Sequence, residues 1–190
     1  MPNHSFQFNG GRLSLDLAGT LRIRACGTED ELELPGTPGR WLDAAALTDG
    51  EMLLSESQEA ELRALRDAIK GTIEAARSQR PLPGHYVAML NRAATVGIPA
   101  PWLDTITGLS THRTHRPFKA ALSLLARDAI KLVSGPDLRH VKACALSDCR
   151  ALFLDESQSC RRRWCSMDRC GSRAKVTAFR ERRKTIAHAR

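Results

Sequence analysis

The chain has 190 residues, of which 42% are hydrophobic, and this suits one globular domain with a small appendage. No stretch approaches the roughly 18 apolar residues that a membrane span needs, and the N-terminus lacks the pattern of a secretory signal. We therefore exclude a membrane protein and expect a cytoplasmic one. In that reducing compartment, six cysteines favour metal binding or reactivity over disulfide bonds.

The formal net charge of +8 is unevenly distributed along the chain. Residues 161–190 contain 11 Lys and Arg against 2 Asp and Glu, which gives +9, and the other 160 residues carry 18 positive and 19 negative groups, which gives −1. A near-neutral body with a basic end is typical of a protein whose partner is a polyanion, with nucleic acid the first candidate. A solvated tail that only aids solubility is the alternative.

The first predicted element is a strand in a short hairpin. Three leucines alternate with polar or small residues over 13–18, directly after the glycine-rich turn at 9–11. Residues 26–37 are rich in Gly, Glu, Pro and Thr and predict an exposed loop. A short helix is then expected from 37 to about 47, with threonine as its N-cap and proline at its first position.

Three longer helices are predicted in the rest of the body. The first, over 55–79, begins with the Ser-x-x-Gln spacing of a capping box. The second, over 85–96, is followed by a glycine suited to the left-handed position after a helix. The third, over 117–134, presents five apolar residues on one face and ends at Gly-Pro. Residues 98–116 predict an irregular or short-stranded connection.

After the third helix, the composition changes to cysteines and arginines. We therefore expect a body over residues 1–136 and a separate module over residues 137–190. The predicted fold class is mainly α with short β elements (α+β), in which a helical body carries a C-terminal treble-clef-like zinc module.

Four of the six cysteines form two equally spaced pairs, Cys-x4-Cys, separated by 15 residues. The four are Cys144, Cys149, Cys165 and Cys170. Two close pairs joined by a hairpin are what a tetrahedral site needs, and four thiolates leave no open position for water. The spacing therefore predicts a structural Zn²⁺ site. Cys160 could replace Cys165 as a ligand, His140 is a similar outside candidate, and Cys26 is read as an ordinary small residue.

The segment between the two cysteine pairs predicts a strand over 150–155, a turn over 156–159 and a returning strand over 160–164. Few large apolar residues lie in this module. Zinc binding, worth on the order of 10–16 kcal/mol in small peptides, is expected to supply the stability that the core lacks. Phe153 and Trp164 are expected to shield the metal, with base stacking as the alternative for both.

These residues resemble a known family. The run from Cys144 to Asp155, the segment from Arg162 to Met167 and the sequence Cys170-Gly-Ser-Arg-x-Lys175 are similar to the CGNR zinc finger. The run from Phe8 to Thr20 resembles the start of the ABATE domain, which precedes that finger in the family. The resemblance implies a stress-induced bacterial transcription regulator whose N-terminal domain senses a small molecule.

The chain departs from the family pattern at two positions, because Gly19 and Ser172 stand where the pattern has Asn. Neither Asn side chain is therefore available for a base contact or a ligand. Ser172 can still cap a helix that continues to about Ala187.

Basic side chains surround this predicted terminal helix. Three more lie on the predicted returning strand, directly before Trp164. Arginine can neutralise phosphates or bind guanine in the major groove, and phosphate contacts are the commoner kind. The residues expected to contact DNA are Arg161, Arg162, Arg163, Arg173, Lys175, Arg180, Arg182, Arg183 and Lys184.

Candidate ligand-binding residues in the body are Arg12, Asp16 and Thr20. Arg12 and Asp16 flank the first predicted strand and could line a pocket, and a local ion pair or helix cap is the alternative. We predict no catalytic residues, because no nucleophile with a base, metal triad or phosphate loop has suitable spacing. His112 and His115 are read as exposed loop residues and not as a metal pair.

The leading hypothesis is a DNA-binding transcription regulator with a ligand-sensing body. An RNA-binding or ribosome-associated protein that uses the same basic module is the alternative, and an enzyme with a metal-stabilised appendage is a third hypothesis. A homodimer is also expected if the target site is palindromic.

Overall fold

The structure is a computed structural model that describes residues 6–24 and 27–188, with the backbone alone described at 23–24, 111–113 and 183–188. Cys26 therefore lies outside the described residues. About 51% of the chain is helical and the strands are short, which confirms the predicted α+β class.

Six α-helices and three two-stranded antiparallel sheets make up the described fold. The helices are α1 (Leu13–Ala18), α2 (Thr37–Ala44), α3 (Glu56–Arg77), α4 (Gly84–Ala94), α5 (Pro117–Ser134) and α6 (Ser172–His188). The strands are β1 (Leu21–Arg24), β2 (Gly27–Asp30), β3 (Ala100–Leu103), β4 (Ser110–Arg113), β5 (Val141–Ala143) and β6 (Leu152–Leu154). A 3-10 turn (Pro136–His140) precedes β5, and a π-helical turn (Met167–Gly171) leads into α6.

Helix α3 forms where its capping box and apolar period predict it. The Ser55 hydroxyl accepts a hydrogen bond from the Gln58 N–H, and the Gln58 side chain accepts one from the Ser55 N–H at 2.8 Å. The buried apolar face of α3 consists of Leu62, Leu65, Ile69 and Ile73. Each such side chain stabilises the fold by about 1.5–3 kcal/mol when fully buried. Helices α4 and α5 pack against α3 and complete the core of the body.

Helix α1 replaces the strand predicted over 13–18, and that prediction is wrong. Leu15 and Leu17 are buried, but so are their polar neighbours Ser14 and Asp16. The alternation therefore does not separate a core face from a solvent face. Both polar side chains are buried with partners, because Ser14 donates to Asp128 at 2.5 Å and Asp16 accepts from the Gly10 N–H at 2.7 Å.

The predicted exposed loop over 26–37 is also partly wrong. Strand β2 pairs with β1 there, and Leu32 after it is fully buried. Helix α2 follows as predicted, but its N-cap is Gly36, in a left-handed conformation (φ 79°), and not the predicted Thr37. The Thr37 hydroxyl donates instead to the Leu34 carbonyl. At the end of α4, Gly97 does not adopt the predicted left-handed conformation.

Strands β3 and β4 form a hairpin in the region predicted to be irregular or short-stranded. The apolar side chains of this region remain largely exposed, including Trp102, Leu103, Ile106 and Leu109.

Among the described helices, every one falls short of the length and apolarity that crossing a bilayer would require.

Strand β6 pairs with β5, with Val141 opposite Leu154, and the returning strand predicted over 160–164 is absent from the described fold. That segment is held instead by a hydrogen bond from the Ala145 N–H to the Arg163 carbonyl (2.8 Å) and by one from the Arg162 N–H to the Asp155 carboxylate (2.9 Å). The hydrophobic core of the body includes three residues of these strands, Val141, Leu152 and Leu154.

The N-terminal segment joins the body to the cysteine-rich region. The Leu154 N–H donates to the Gly10 carbonyl at 2.8 Å. A Cβ atom at Gly10 would lie 2.7 Å from the Leu15 Cβ, and so this close approach requires glycine. Arg77 at the end of α3 also donates to the Val141 carbonyl, at 2.9 Å. The two predicted regions therefore share one core.

Candidate metal centre and nucleic-acid interface

The fold brings together the four cysteines that the sequence paired. Cys144 and Cys149 lie on the loop between β5 and β6, Cys165 lies two residues before the π-helical turn, and Cys170 lies within it. All four are buried, and their sulfur atoms lie within 4.8 Å of one another.

The arrangement fits a tetrahedral zinc ion. Zinc–sulfur bonds of about 2.3 Å place the sulfur atoms about 3.8 Å apart at the corners of a tetrahedron. The Cys149 and Cys165 sulfurs are 3.7 Å apart, and those of Cys165 and Cys170 are 3.6 Å apart. Four soft thiolates are a zinc ligand set with no open position, and so the metal would hold the structure together without binding substrate.

The protonation of these thiols supports the same assignment. The hydrogen bond from Cys165 lowers the pKa of Cys149 to about 5. That bond, together with burial and repulsion from the neighbouring thiolates, raises the pKa of Cys165 far above its ordinary value. Burial and the Cys149 charge raise the pKa of Cys170 to about 12. Cys149 therefore ionises readily while Cys165 and Cys170 resist, and a divalent cation removes that resistance because it neutralises the added charge.

The outside candidates do not belong to the cluster. Cys160 is exposed, and its sulfur lies 3.5 Å from the Nδ1 atom of His140. Cys165 and not Cys160 therefore completes the ligand set. Among the described residues, the four cysteines are the one group of at least three potential ligands close enough to hold a metal ion.

Aromatic side chains cover the cysteines, as predicted. Phe153 is fully buried against the cysteine cluster, and Trp164 packs on it while half-buried. The Arg162 guanidinium lies 5.0 Å from the centre of the Phe153 ring and donates to the Cys165 carbonyl at 2.8 Å. These contacts exclude water from the sulfur atoms and orient a ligand residue, and so both aromatic rings have a structural use.

Asp155 organises the loop that returns to Cys165. Its carboxylate accepts hydrogen bonds from the Lys142 ammonium at 2.6 Å, the Ser157 hydroxyl at 2.6 Å and the Arg162 N–H at 2.9 Å. Burial alone would raise the pKa of Asp155, but these donors outweigh it and hold the pKa below its usual range. Asp155 therefore stays charged and fixes the position of Arg162 beside the metal ligands.

The structure describes the side chains of seven of the nine residues predicted to contact DNA, and these seven fall into three groups. Arg162 faces inward as described, and Arg173 forms an ion pair with Asp148 of the zinc loop. Arg163 lies over the Trp164 ring at 5.2 Å. The third group is exposed and has no carboxylate partner among the described residues: Arg161, Lys175, Arg180 and Arg182. The side chains of Arg183 and Lys184 lie outside the described part.

Helix α6 begins differently from the prediction. Ser166 caps the π-helical turn by accepting a hydrogen bond from the Arg169 N–H at 3.4 Å. Ser172 lies within the continuing helix and donates to the Met167 carbonyl at 3.3 Å, and so the prediction that Ser172 is the N-cap is wrong. The helix therefore begins among the ligand cysteines, and no residue of α6 up to Arg182 is buried.

Three further residues of this surface were not predicted from the sequence. Arg150 directly follows Cys149 with a left-handed backbone (φ 48°), and Arg169 precedes Cys170; both side chains are exposed. In the sequence, the positions of both arginines beside ligand cysteines could have indicated that they lie on this surface. Asp148 was missed because its partner Arg173 is 25 positions away.

The three predicted ligand-binding residues have partners within the fold. Arg12 donates to Asp128 at 2.7 Å and to Asp137 at 3.2 Å, which are long-range ion pairs and not local ones. Thr20 donates to the Leu17 carbonyl at 2.7 Å. Asp16 lines a space of about 20 Å³, enough for one water molecule. The three residues are therefore already used to hold the fold together.

Asp16 and Asp128 lie near each other but differ in their titration. Burial raises the pKa of Asp16 to about 6, and the negative charge of Asp128 adds to this, although the Gly10 N–H opposes it. Burial would also raise the pKa of Asp128, but hydrogen bonds from Ser14 and Arg12 lower it overall. The Asp128 carboxylate is therefore the charged anchor of this contact.

Comparison with known families accounts for both parts of the chain. Residues 11–136, about two thirds of the chain, match the model of the ABATE family, described as "Putative stress-induced transcription regulator". Residues 140–183 match the model of the CGNR zinc finger. A search of curated proteins gave no match. With its buried four-cysteine zinc centre, the chain belongs to the ABATE family and carries a CGNR zinc finger over residues 140–183.

Proposed function

We propose that this chain is a transcription regulator that binds duplex DNA through its zinc finger while its helical body senses a small ligand. The observation that carries the proposal is the set of exposed cations on and beside the zinc-anchored helix α6 that have no carboxylate partner within the described part of the chain. The proposal places the protein in the cytoplasm and assigns it no chemical reaction. A homodimer that reads a palindromic site is part of the same proposal.

Charge distribution is the first support. Residues 161–190 carry a balance of +9 against −1 for the rest of the chain. Cations that neutralise phosphates release the counterions condensed on DNA, and this release drives binding without regard to sequence. An exposed helix that begins at a rigid metal site presents such cations in a fixed position.

The geometry of α6 is the second support. Its 17 residues span about 26 Å, and the major groove admits one helix. Lys175 and Arg182 are seven residues apart and so lie on one side of the helix, whereas Arg180 lies about 200° away from Arg182. Cations on opposite sides of a helix in a groove can reach the phosphates of both strands, and we therefore assign these residues to backbone contacts.

The ion pair between Arg173 and Asp148 is the third support. It ties the first turn of α6 to the loop that carries two of the metal ligands. The metal centre would therefore set the direction in which α6 projects, and loss of the metal would release it. For the body, the cavity between α3, α4 and α5 supports a sensing role.

A salt-series binding measurement tests the DNA proposal. The double variant Lys175→Gln/Arg182→Gln should weaken binding to duplex DNA, because two phosphate contacts are lost. The slope of log K against log salt should fall in magnitude by about 2. The matched control is Arg80→Gln/Lys131→Gln, which removes the same charge from exposed positions of the body and should leave that slope unchanged.

Equal effects of the two double variants would contradict the proposed interface, because they would mean that net charge alone matters. Parallel titrations with a structured RNA decide between nucleic acids. Tighter binding to that RNA than to any duplex DNA would replace the proposal with the RNA-binding or ribosome-associated alternative.

A further inference from the structure

A cavity of about 300 Å³ lies between α3, α4 and the start of α5, away from the metal centre. This volume is at the lower end of the range of about 300–1,000 Å³ found for small-molecule sites. Its apolar walls consist of Ala64, Leu65, Met89, Ala93, Val96 and Leu122. Such walls favour a ligand with a hydrocarbon body, because burying polar groups against them without hydrogen bonds is unfavourable.

Four charged side chains line the same cavity. Glu61 and Lys119 neutralise each other, since the Lys119 ammonium lies 2.6 and 2.7 Å from the two carboxylate oxygens. Arg92 and Arg116 have no carboxylate partner in the described part of the chain. The cavity therefore has an excess of two positive charges.

The start of α5 adds to this positive potential. Arg116 is the residue before its first helical position, and no side chain caps the helix there. The first N–H groups of a helix lack partners within it and carry partial positive charge. The backbone at the start of α5 and the two arginines thus favour an anionic group in the cavity.

We propose that this cavity binds a small organic carboxylate with a hydrocarbon body, whose carboxylate pairs with Arg92 and Arg116. The inference rests on the proposed sensing role of the body and gives that role a site and a ligand class. A wholly polar anion such as phosphate would leave the apolar walls without contacts. An uncharged hydrocarbon would leave both guanidinium groups without a partner.

The larger cleft beside the β3–β4 hairpin does not share this chemistry. It has a volume of about 800 Å³ and is lined by Asp49, Glu51 and His115. Its carboxylates would repel a carboxylate ligand. Selectivity for a carboxylate is therefore assigned to the cavity between α3, α4 and α5.

Calorimetric titration of the zinc-loaded full chain with phenylacetate, octanoate and uncharged phenylacetamide tests the proposal. We expect one carboxylate bound per chain. Phenylacetamide should bind on the order of tenfold more weakly than phenylacetate, because hydrogen bonds between charged partners are the stronger kind.

Three variants locate the site. Arg92→Gln and Arg116→Gln should each weaken phenylacetate binding by about three- to tenfold, whereas Arg80→Gln, exposed outside the cavity, should not. Ala93→Leu places a larger side chain in the cavity and should abolish binding. The melting temperature of that variant reports whether it folds, and the two arginine variants test the site in either case.

Three results would overturn the inference: no saturable binding of either carboxylate at millimolar concentration, equal binding of the amide, or unchanged affinity in both arginine variants. DNA affinity is measured separately on the same preparations. Absence of carboxylate binding would therefore not contradict the DNA-binding proposal, and absence of DNA binding would not contradict a measured carboxylate site.

Discussion

Single residues decide how the first helix is held, and two carboxylates have opposite roles there. Asp128 is charged because Ser14 and Arg12 donate to it, whereas Asp16 is buried with one backbone donor and has a pKa of about 6. A charged Asp16 at neutral pH therefore costs free energy, whereas the charged Asp128 stabilises the fold by accepting hydrogen bonds from Arg12 and Ser14.

Asp16→Asn should remove a pH-dependent loss of stability. The folded chain holds the Asp16 proton more tightly than the unfolded chain, since its pKa rises from 3.8 to about 6. Asp16 thus contributes stability that is present below pH 3.8 and lost as the pH rises through about 6. By pH 7 this loss is about 3 kcal/mol, at 1.36 kcal/mol for each pKa unit.

Denaturant titrations of both proteins at several pH values measure this difference. The unfolding free energy of the variant relative to wild type should increase between pH 4 and pH 7, because Asn cannot ionise and its carbonyl can still accept the Gly10 hydrogen bond. A constant difference across that range would contradict the assigned burial of Asp16.

At the same scale, the metal ligands could be predicted but their supporting residues could not. Equal spacing and a shared chemistry made the four cysteines recognisable in the sequence. Asp155 and Asp148 carry no such signal, since their partners lie up to 25 positions away and are chosen by the folded backbone. Arg12 likewise finds its carboxylate 116 positions later.

Elements with a strong local signal form as the sequence predicts. Helix α3 has a capping box and a regular apolar face, and α5 has proline in its first turn and an apolar face of the same period. Helix α1 has only six residues, and its two central polar side chains are buried against partners distant in sequence. The period of its leucines therefore could not distinguish a buried helix from a strand.

The attachment of α1 to α5 depends on Asp128. Its two oxygens accept hydrogen bonds from Arg12 and from both the N–H and the hydroxyl of Ser14. Asp128→Ala should lower the unfolding free energy by about 2–3 kcal/mol, because partly buried donors lose their acceptor. Chemical denaturation at neutral pH measures this change.

The control for that change is Asp43→Ala, which removes an exposed carboxylate from α2. It should alter the unfolding free energy by no more than about 0.5 kcal/mol. Similar values for the two variants would mean that α1 is held by its leucines alone.

In the molecule as a whole, the strands of the zinc finger pack on the core of the body, whereas its four cysteines form a cluster of their own. Val141, Leu152 and Leu154 pack with the leucines of the body, and Gly10 extends that contact through its backbone. The sequence could not predict this, because each of these strands has only three residues and its partners lie at the other end of the chain.

Zinc removal should therefore affect the body as well as the finger. Calorimetry of the zinc-loaded chain should give one unfolding transition, and chelation should lower the temperature of that whole transition. A body transition that stays at the same temperature after chelation would show that the shared core contributes little to stability.

The central claim is that zinc holds a basic surface in the shape that binds DNA. Its most direct test is the affinity of the full chain for duplex DNA at fixed salt, measured with one zinc per chain and again after chelation and readdition of zinc. We expect binding to be lost on chelation and restored by zinc. Unchanged affinity without the metal would contradict the account, because α6 would then bind DNA without the centre that anchors it.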